Sequence, residues 1–336
     1  MRDYELEILE QYHIEVGSTR KIRGAFFCDT EQGVMILKEV QYSTQRAPFY
    51  YMICKQLEES GFGNVDTIVP NAEGAFLSQS RDGRRYVLKK WFRGSECDVK
   101  NEREILAAAA NLAKLHLVMN WRAGCDVGQQ AEIVPPLGTD LRQILLRHNQ
   151  ELVKVRKFIR RQSTKHDFEA IFLKSFEMMY AQAESVRDKL EKSEYESLYQ
   201  EVQRKQSLTH GDYNYHNIIL TQNGIATTNF ERAHLDIQVS DLSYFIRKVM
   251  EKQHWKPELC RKILRAYAQI RPLSEAEMEY ISLRLAYPEK FWKTVNSYYL
   301  SNKSWISVKM VEKLEQTILE TEEKRYFLNE IFSFLL

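Results

Sequence analysis

The hydrophobic pattern changes its period once along these 336 residues, and that change limits the possible folds more than any other feature. Through residue 92, short apolar or alternating runs lie between turn residues, with one helical stretch among them. Five strands are expected there. Lys21 to Cys28 and Val34 to Val40 flank Asp29-Thr30-Glu31-Gln32-Gly33, a polar loop of hairpin length. Ala47 to Glu59 reads as a helix stopped by Gly61, and Val65 to Val69, Ala75 to Gln79 and Arg85 to Phe92 complete the order β-β-α-β-β-β. From residue 94 the spacing is helical. Ser95 with Asp98 has the spacing of a capping box, and Ile105, Ala109, Leu112 and His116 then share one face. Leu141 to Gln206 is helical and heavily charged, and Ser274 with Glu277 opens a further helix after Pro272. One stretch breaks the helical run: between Asn217 and Phe230, two β-rich segments flank Asn223-Gly224, a strong hairpin signal. The expected class is α+β, with residues 1–93 forming a small antiparallel sheet plus helix and 94–336 a mostly helical domain carrying one hairpin.

Composition narrows the function. Apolar residues make up 44% and aromatics 12%, a profile that excludes intrinsic disorder. Forty-eight basic against 46 acidic residues leave +2, so no global field gathers a polyanion. Cysteines 28, 54, 97, 125 and 260 form an odd set without a C-x-x-C pair, which argues against a disulfide framework or zinc site and for a reducing compartment. The N-terminus carries acids where a signal peptide has basic residues, and the apolar stretch Ile105 to Met119 is interrupted by Asn111, Lys114 and His116. Cytoplasmic synthesis without a membrane partner is expected.

Just before the hairpin stands His210-Gly211-Asp212-Tyr213-Asn214-Tyr215-His216-Asn217, or H-G-D-x-x-x-x-N. This resembles the catalytic loop of the aminoglycoside phosphotransferase and choline kinase superfamily, relatives of protein kinases. Within it, the first 120 residues and the 209–245 segment look most like the CotS-type spore coat proteins. The resemblance implies a bilobed protein-kinase-like fold, an N-terminal nucleotide-binding lobe, ATP and Mg²⁺ as cofactors, a hydroxyl acceptor, a place in the spore coat and other coat proteins as partners.

Phosphoryl transfer to a hydroxyl needs a carboxylate to accept its proton, and Asp212 is placed for that. It also needs oxygen ligands for Mg²⁺, of which the Asn217 amide is one. If Asn223-Gly224 is a two-residue loop, residue 229 lies opposite Ile218 and beside Asn217. Position 229 departs from the family, because Thr228-Asn229-Phe230-Glu231 stands where the pattern reads Asp-Phe-Asp or Asp-Phe-Glu. An amide lacks the charge that offsets Mg²⁺ dehydration, so weaker metal binding and slower transfer are expected. Glu231 shares a face with Asn229 if the strand extends that far, and could then supply the missing charge.

By resemblance, Lys38 contacts the α and β phosphates, although an isolated strand lysine reads as an ordinary exposed one. No Asp or Glu occurs between Glu39 and Leu57, so the helix position for its partner acid is empty; Glu58 and Glu59 are the candidates near the helix end. No G-x-G-x-x-G occurs in the first hairpin. Arg85 to Gly94 resembles the strand and hinge between lobes, where backbone groups at Lys90, Trp91 and Phe92 would meet an adenine edge, or Trp91 or Phe92 simply fills the core. Asp241 is balanced between bracing the catalytic loop and a helix-dipole acid. His210 and His116 read as packed structural residues, and His216 has no evident catalytic role. Seven basic residues against Glu151 between Leu146 and Lys165 read as a solvated helix face, so a nucleic-acid partner ranks last. Two functions compete. One is a coat-associated protein with an ATP-type cleft and impaired catalysis; the other is an active ATP- and Mg²⁺-dependent phosphotransferase acting on a small-molecule alcohol.

Overall fold

The structure, a computed structural model, describes residues 6–22, 24–41, 43, 45–122, 133–300 and 308–334. After a short 3-10 turn at Leu6–Gln11 come β1 (Val16–Ile22), β2 (Ala25–Thr30), β3 (Gly33–Val40), α1 (Arg46–Glu59), β4 (Ser78–Gln79) and β5 (Arg85–Lys90). They form a five-stranded antiparallel sheet in the order β1-β2-β3-β5-β4. The expected number of strands is met with different membership. The run read as one strand from Lys21 turns at Gly24, so Val16–Ile22 is a strand of its own. Val65 to Val69 instead makes only isolated bridges, because Val65 reaches Thr227 of the hairpin while Ile68 reaches Lys89.

Alternation sets the two faces of this sheet. Met35, Leu37, Tyr86 and Leu88 pack beneath the N-terminal turn with Ile8, Leu9 and Tyr12. Ile36 and Lys38 face the other way, opposite Lys89 and Val87 respectively, toward the helical part of the molecule.

That part continues with β6 (Ser95–Glu96), α2 (Glu102–Val118), α3 (Leu141–Arg160), α4 (Asp167–Lys192), α5 (Tyr195–Lys205) and β7 (Leu208–Thr209). The hairpin β8 (Ile218–Thr221) and β9 (Gly224–Thr227) follows, then β10 (His234–Leu235), α6 (Val239–Met250), α7 (Pro257–Ala268), α8 (Glu275–Ala286), α9 (Glu289–Leu300) and α10 (Val308–Phe332). The Ser274–Glu277 capping box opens α8 as expected. The Ser95 cap does not form. Ser95 pairs with Leu220 in a three-stranded sheet with the hairpin, and α2 starts later, where the Asn101 side chain accepts the Arg103 N–H at 3.1 Å. One apolar cluster runs from α1 through α2 and α6 to α8 and α10, so sheet and helices share a core. Cys28, Cys54, Cys97 and Cys260 are free and buried; Cys125 lies outside the described residues. Among those residues, no helix is long and apolar enough to cross a membrane.

Candidate functional site

The H-G-D loop runs from β7 to β8 and is held from below by Asp241, in the first turn of α6. The Asp241 carboxylate accepts the backbone N–H groups of His210 at 2.6 Å and Gly211 at 2.9 Å, and lies 3.4 Å from His116 Nε2. It therefore braces the loop. Burial alone would raise the carboxyl's pKa, but the bonds from His116 and His210 outweigh it and hold it below the ordinary value. Burial keeps His116, which also bonds the Tyr267 hydroxyl at 2.7 Å, below its ordinary value of 6.5. The unfolded chain thus takes up this proton more readily than the folded one. Its stability contribution is complete above pH 6.5 and is lost as pH falls through the lower folded value. Urea midpoints of the natural chain should fall below pH 6.5 more steeply than those of His116→Gln.

Gly211 places the next residue by a positive φ of 76°, and a Cβ there would stand 2.2 Å from the Arg232 carbonyl oxygen. Gly211→Ala should cost roughly 2–4 kcal/mol in urea unfolding, from left-handed strain plus overpacking. Asp212 then sits half-buried at the loop's crest. Its carboxylate accepts Asn214 Nδ2 at 3.0 Å, and burial together with the nearby Asp212 charge pushes the Tyr244 hydroxyl up to about 12. His210 is structural, with Nε2 2.9 Å from the Thr228 carbonyl and its ring against Phe230.

The hairpin loop is Gln222-Asn223 rather than Asn223-Gly224, so the register differs from the one expected. Ile218 faces Thr227, and the Thr228 N–H donates to the Asn217 carbonyl at 2.9 Å. Asn229 still adjoins Asn217, and its Nδ2 donates to Asn217 Oδ1 at 2.8 Å. Asn217 Nδ2 donates in turn to the Asp212 carbonyl at 2.9 Å. Asn229 no longer belongs to a strand: with φ 68° and ψ 56° it adopts the left-handed conformation that Asn tolerates, and a 3-10 turn at Phe230–Arg232 follows.

That turn redirects Glu231. It does not share a strand face with Asn229; it points at the sheet, where Lys38 Nζ lies 3.3 Å and Lys89 Nζ 3.6 Å from its Oε1. Burial opposes the charge on Glu231, but the two lysines keep its pKa below the ordinary value. Glu231 is thus the acid beside Lys38. Glu58 instead serves Lys55, Thr67 and Lys90. Arg46 fixes the turn from α1, donating to the carbonyls of Glu231 at 2.7 Å and Ala233 at 2.6 Å.

Lys89, Asp66 and Tyr50 were not legible as site residues. Lys89 Nζ is wholly buried and touches Asp66 Oδ2 at 2.7 Å, Asn229 Oδ1 at 3.0 Å and the Tyr50 hydroxyl at 3.1 Å. Asp66 Oδ2 also accepts the Asn229 N–H at 2.9 Å. Burial would lower the ammonium pKa, but Asp66 and Glu231 overcome it and Lys89 is charged. Tyr50, on the α1 face toward the cleft, stands in place of the acid expected on that helix. One signal was available: Lys89 alternates with Val87 on the strand face that the helix must cover.

A divalent cation between Asn217 and Asn229 does not fit these side chains. The Asn217 oxygen accepts from Asn229, the Asn229 oxygen accepts from Lys89, and neither group carries charge. The Lys89 ammonium by itself would repel a divalent ion about 4 Å away by roughly 8 kcal/mol at an effective dielectric near 20, and the carboxylates that could offset this are already paired with lysines. Among the described residues, no group of three or more His, Cys, Asp or Glu could hold a metal. At the hinge, the N–H groups of Lys90 and Trp91 are engaged by Thr67 and Val34 at 2.9 and 2.8 Å, and the Trp91 ring meets Phe27 edge-on.

This two-lobed arrangement, a five-stranded sheet over a helical lobe with an H-G-D loop and hairpin at the junction, is the aminoglycoside phosphotransferase-like, kinase-like fold. An aminoglycoside phosphotransferase from Alicyclobacillus acidocaldarius superposes with a TM-score of 0.82 at 14% identity, covering 98% of this chain and 95% of that one. Spectinomycin phosphotransferase APH(9)-Ia in complex with ADP and spectinomycin gives 0.61 at 12%, covering 96% and 98%. The chain belongs to the family described as spore coat putative kinase YutH, whose model matches residues 5–331. It is also 25% identical over 359 residues to spore coat protein S of Bacillus subtilis (strain 168), covering 97% of this chain and 93% of that protein.

Proposed function

We propose that this protein is a spore-coat-associated, kinase-like protein whose interlobe cleft binds a nucleotide while phosphoryl transfer is impaired. One observation carries the reading: an unbroken polar chain crosses the cleft from Lys38 through Glu231, Lys89, Asn229 and Asn217 to Asp212. In this reading Lys38 meets the phosphates, and the adenine edge meets the hinge at Lys90, Trp91 and Phe92 through backbone carbonyls and the Phe92 N–H, the Lys90 and Trp91 N–H groups being engaged within the protein. Asp212 would accept the proton of an acceptor hydroxyl. Mg²⁺ would be the partner for phosphates in an active relative; here Asn217 and Asn229 offer it only neutral, engaged amides, which is why transfer is expected to be slow.

A second reading, an active phosphotransferase on a small alcohol, draws on one further feature. A cavity of about 180 Å³ opens between α3, α6 and α8 and is lined by Tyr244, whose hydroxyl is raised by burial and the Asp212 charge. An acceptor there would be separated from the base by the Tyr244 side chain. Spore coat partners are proposed from family membership alone.

Calorimetric titration of the whole chain with ATP and ADP tests the nucleotide reading. Binding should be saturable, and Lys38→Ala should weaken it about tenfold or more, the loss of a charge-assisted phosphate contact. No heat of binding for either nucleotide would refute it.

A further inference from the structure

The geometry points to Lys89 as a built-in cation that takes the place of a divalent metal in this cleft. The inference concerns the cation, goes beyond nucleotide binding, and stands or falls separately from it.

Four oxygens surround one nitrogen. Asp66 Oδ2 at 2.7 Å, Asn229 Oδ1 at 3.0 Å and the Tyr50 hydroxyl at 3.1 Å use the three donors an ammonium has, and Glu231 Oε1 stands just outside at 3.6 Å. The nitrogen is inaccessible to solvent, and the Tyr50 ring lies 5.1 Å and the Trp91 ring 5.9 Å from it. Oxygen-only coordination by two carboxylates, an amide and a hydroxyl is the donor chemistry that suits a hard cation. Here the cation arrives covalently, on β5.

The charges agree with this. Lys38 and Lys89 contribute two positive charges, Asp66 and Glu231 two negative ones, and the group is neutral without any ion. Asn229 completes the arrangement because an aspartate at that position would leave a third carboxylate against two lysines. The amide presents its oxygen to Lys89 and its NH₂ to Asn217, so one side chain joins the ammonium cage to the Asp212 loop. Lys89 and Asp66 come from the sheet side and Asn229 and Glu231 from the hairpin side, so the cage also spans the cleft, as a bound metal would.

The test uses Mn²⁺ alone, read by electron paramagnetic resonance, with no nucleotide present. The natural chain should leave the aqueous Mn²⁺ spectrum unchanged up to about 1 mM, and Asn229→Asp should do the same because the new carboxylate pairs with Lys89. Lys89→Met combined with Asn229→Asp should bind Mn²⁺ at least about tenfold more tightly than Asn229→Asp. Circular dichroism establishes that each variant is folded; if the double variant is not, the two Lys89-containing proteins still decide. Binding by the natural chain with Kd below about 0.1 mM, lost in Asn217→Ala, would overturn the inference, as would comparable binding by Asn229→Asp alone. A double variant that folds yet binds no better than Asn229→Asp would overturn it equally.

Discussion

Lys89→Met should lower the free energy of unfolding by about 3–5 kcal/mol, because it leaves the fully buried Asp66 carboxylate without its counter-charge. Urea unfolding monitored by circular dichroism measures the loss. Removing both charges should restore much of it, since the desolvation cost of Asp66 then disappears. Lys89→Met with Asp66→Asn should be more stable than Lys89→Met alone, and the double-mutant cycle should give a coupling of about 1–3 kcal/mol. If the losses of Lys89→Met and Asp66→Asn simply add in the double variant, the pair is not coupled, and Lys89 merely fills space.

Asp241→Ala should cost a similar amount, about 3–5 kcal/mol, for a different reason. The change strands the buried N–H groups of His210 and Gly211 together, each worth about 1–3 kcal/mol when unsatisfied, and leaves His116 without its carboxylate. Urea midpoints read the loss. Asp241→Asn should recover part of it, since the amide oxygen can accept one of the two N–H groups. Because these bonds fix the residues just before Asp212, nucleotide binding through Lys38 should suffer less than any phosphoryl transfer through Asp212. A variant as stable as the natural chain would show that the loop holds its shape without this brace.

Local periodicity made much of the architecture legible. Helix α8 begins where Ser274 and Glu277 require, and the hairpin lies where the β-rich runs do. Its register was not legible, because Gly224 can sit either in the turn or, as here, at the first paired position with φ 117°. The strand at Val16–Ile22 escaped notice since its middle residues are exposed on both faces, so no alternation marks it. The site divides in the same way. Asp212, Asn217 and Asn229 stand together because a contiguous loop and hairpin carry them. Lys89 and Asp66 lie 23 positions apart and meet Asn229 only once the lobes pack, so their relation is tertiary. Glu231 turned from the hairpin to the lysines because the Asn229 backbone enters the left-handed region, a choice that short-range pattern does not reveal.

With Lys89 fixed in its oxygen cage, the cleft should take its nucleotide through the Lys38 ammonium and need no divalent ion. Calorimetric titration of the natural chain with ATP in excess EDTA, and again in excess Mg²⁺, tests it most directly. The account predicts dissociation constants that agree within about twofold, a difference below about 0.5 kcal/mol. Binding confined to the Mg²⁺ titration would contradict it.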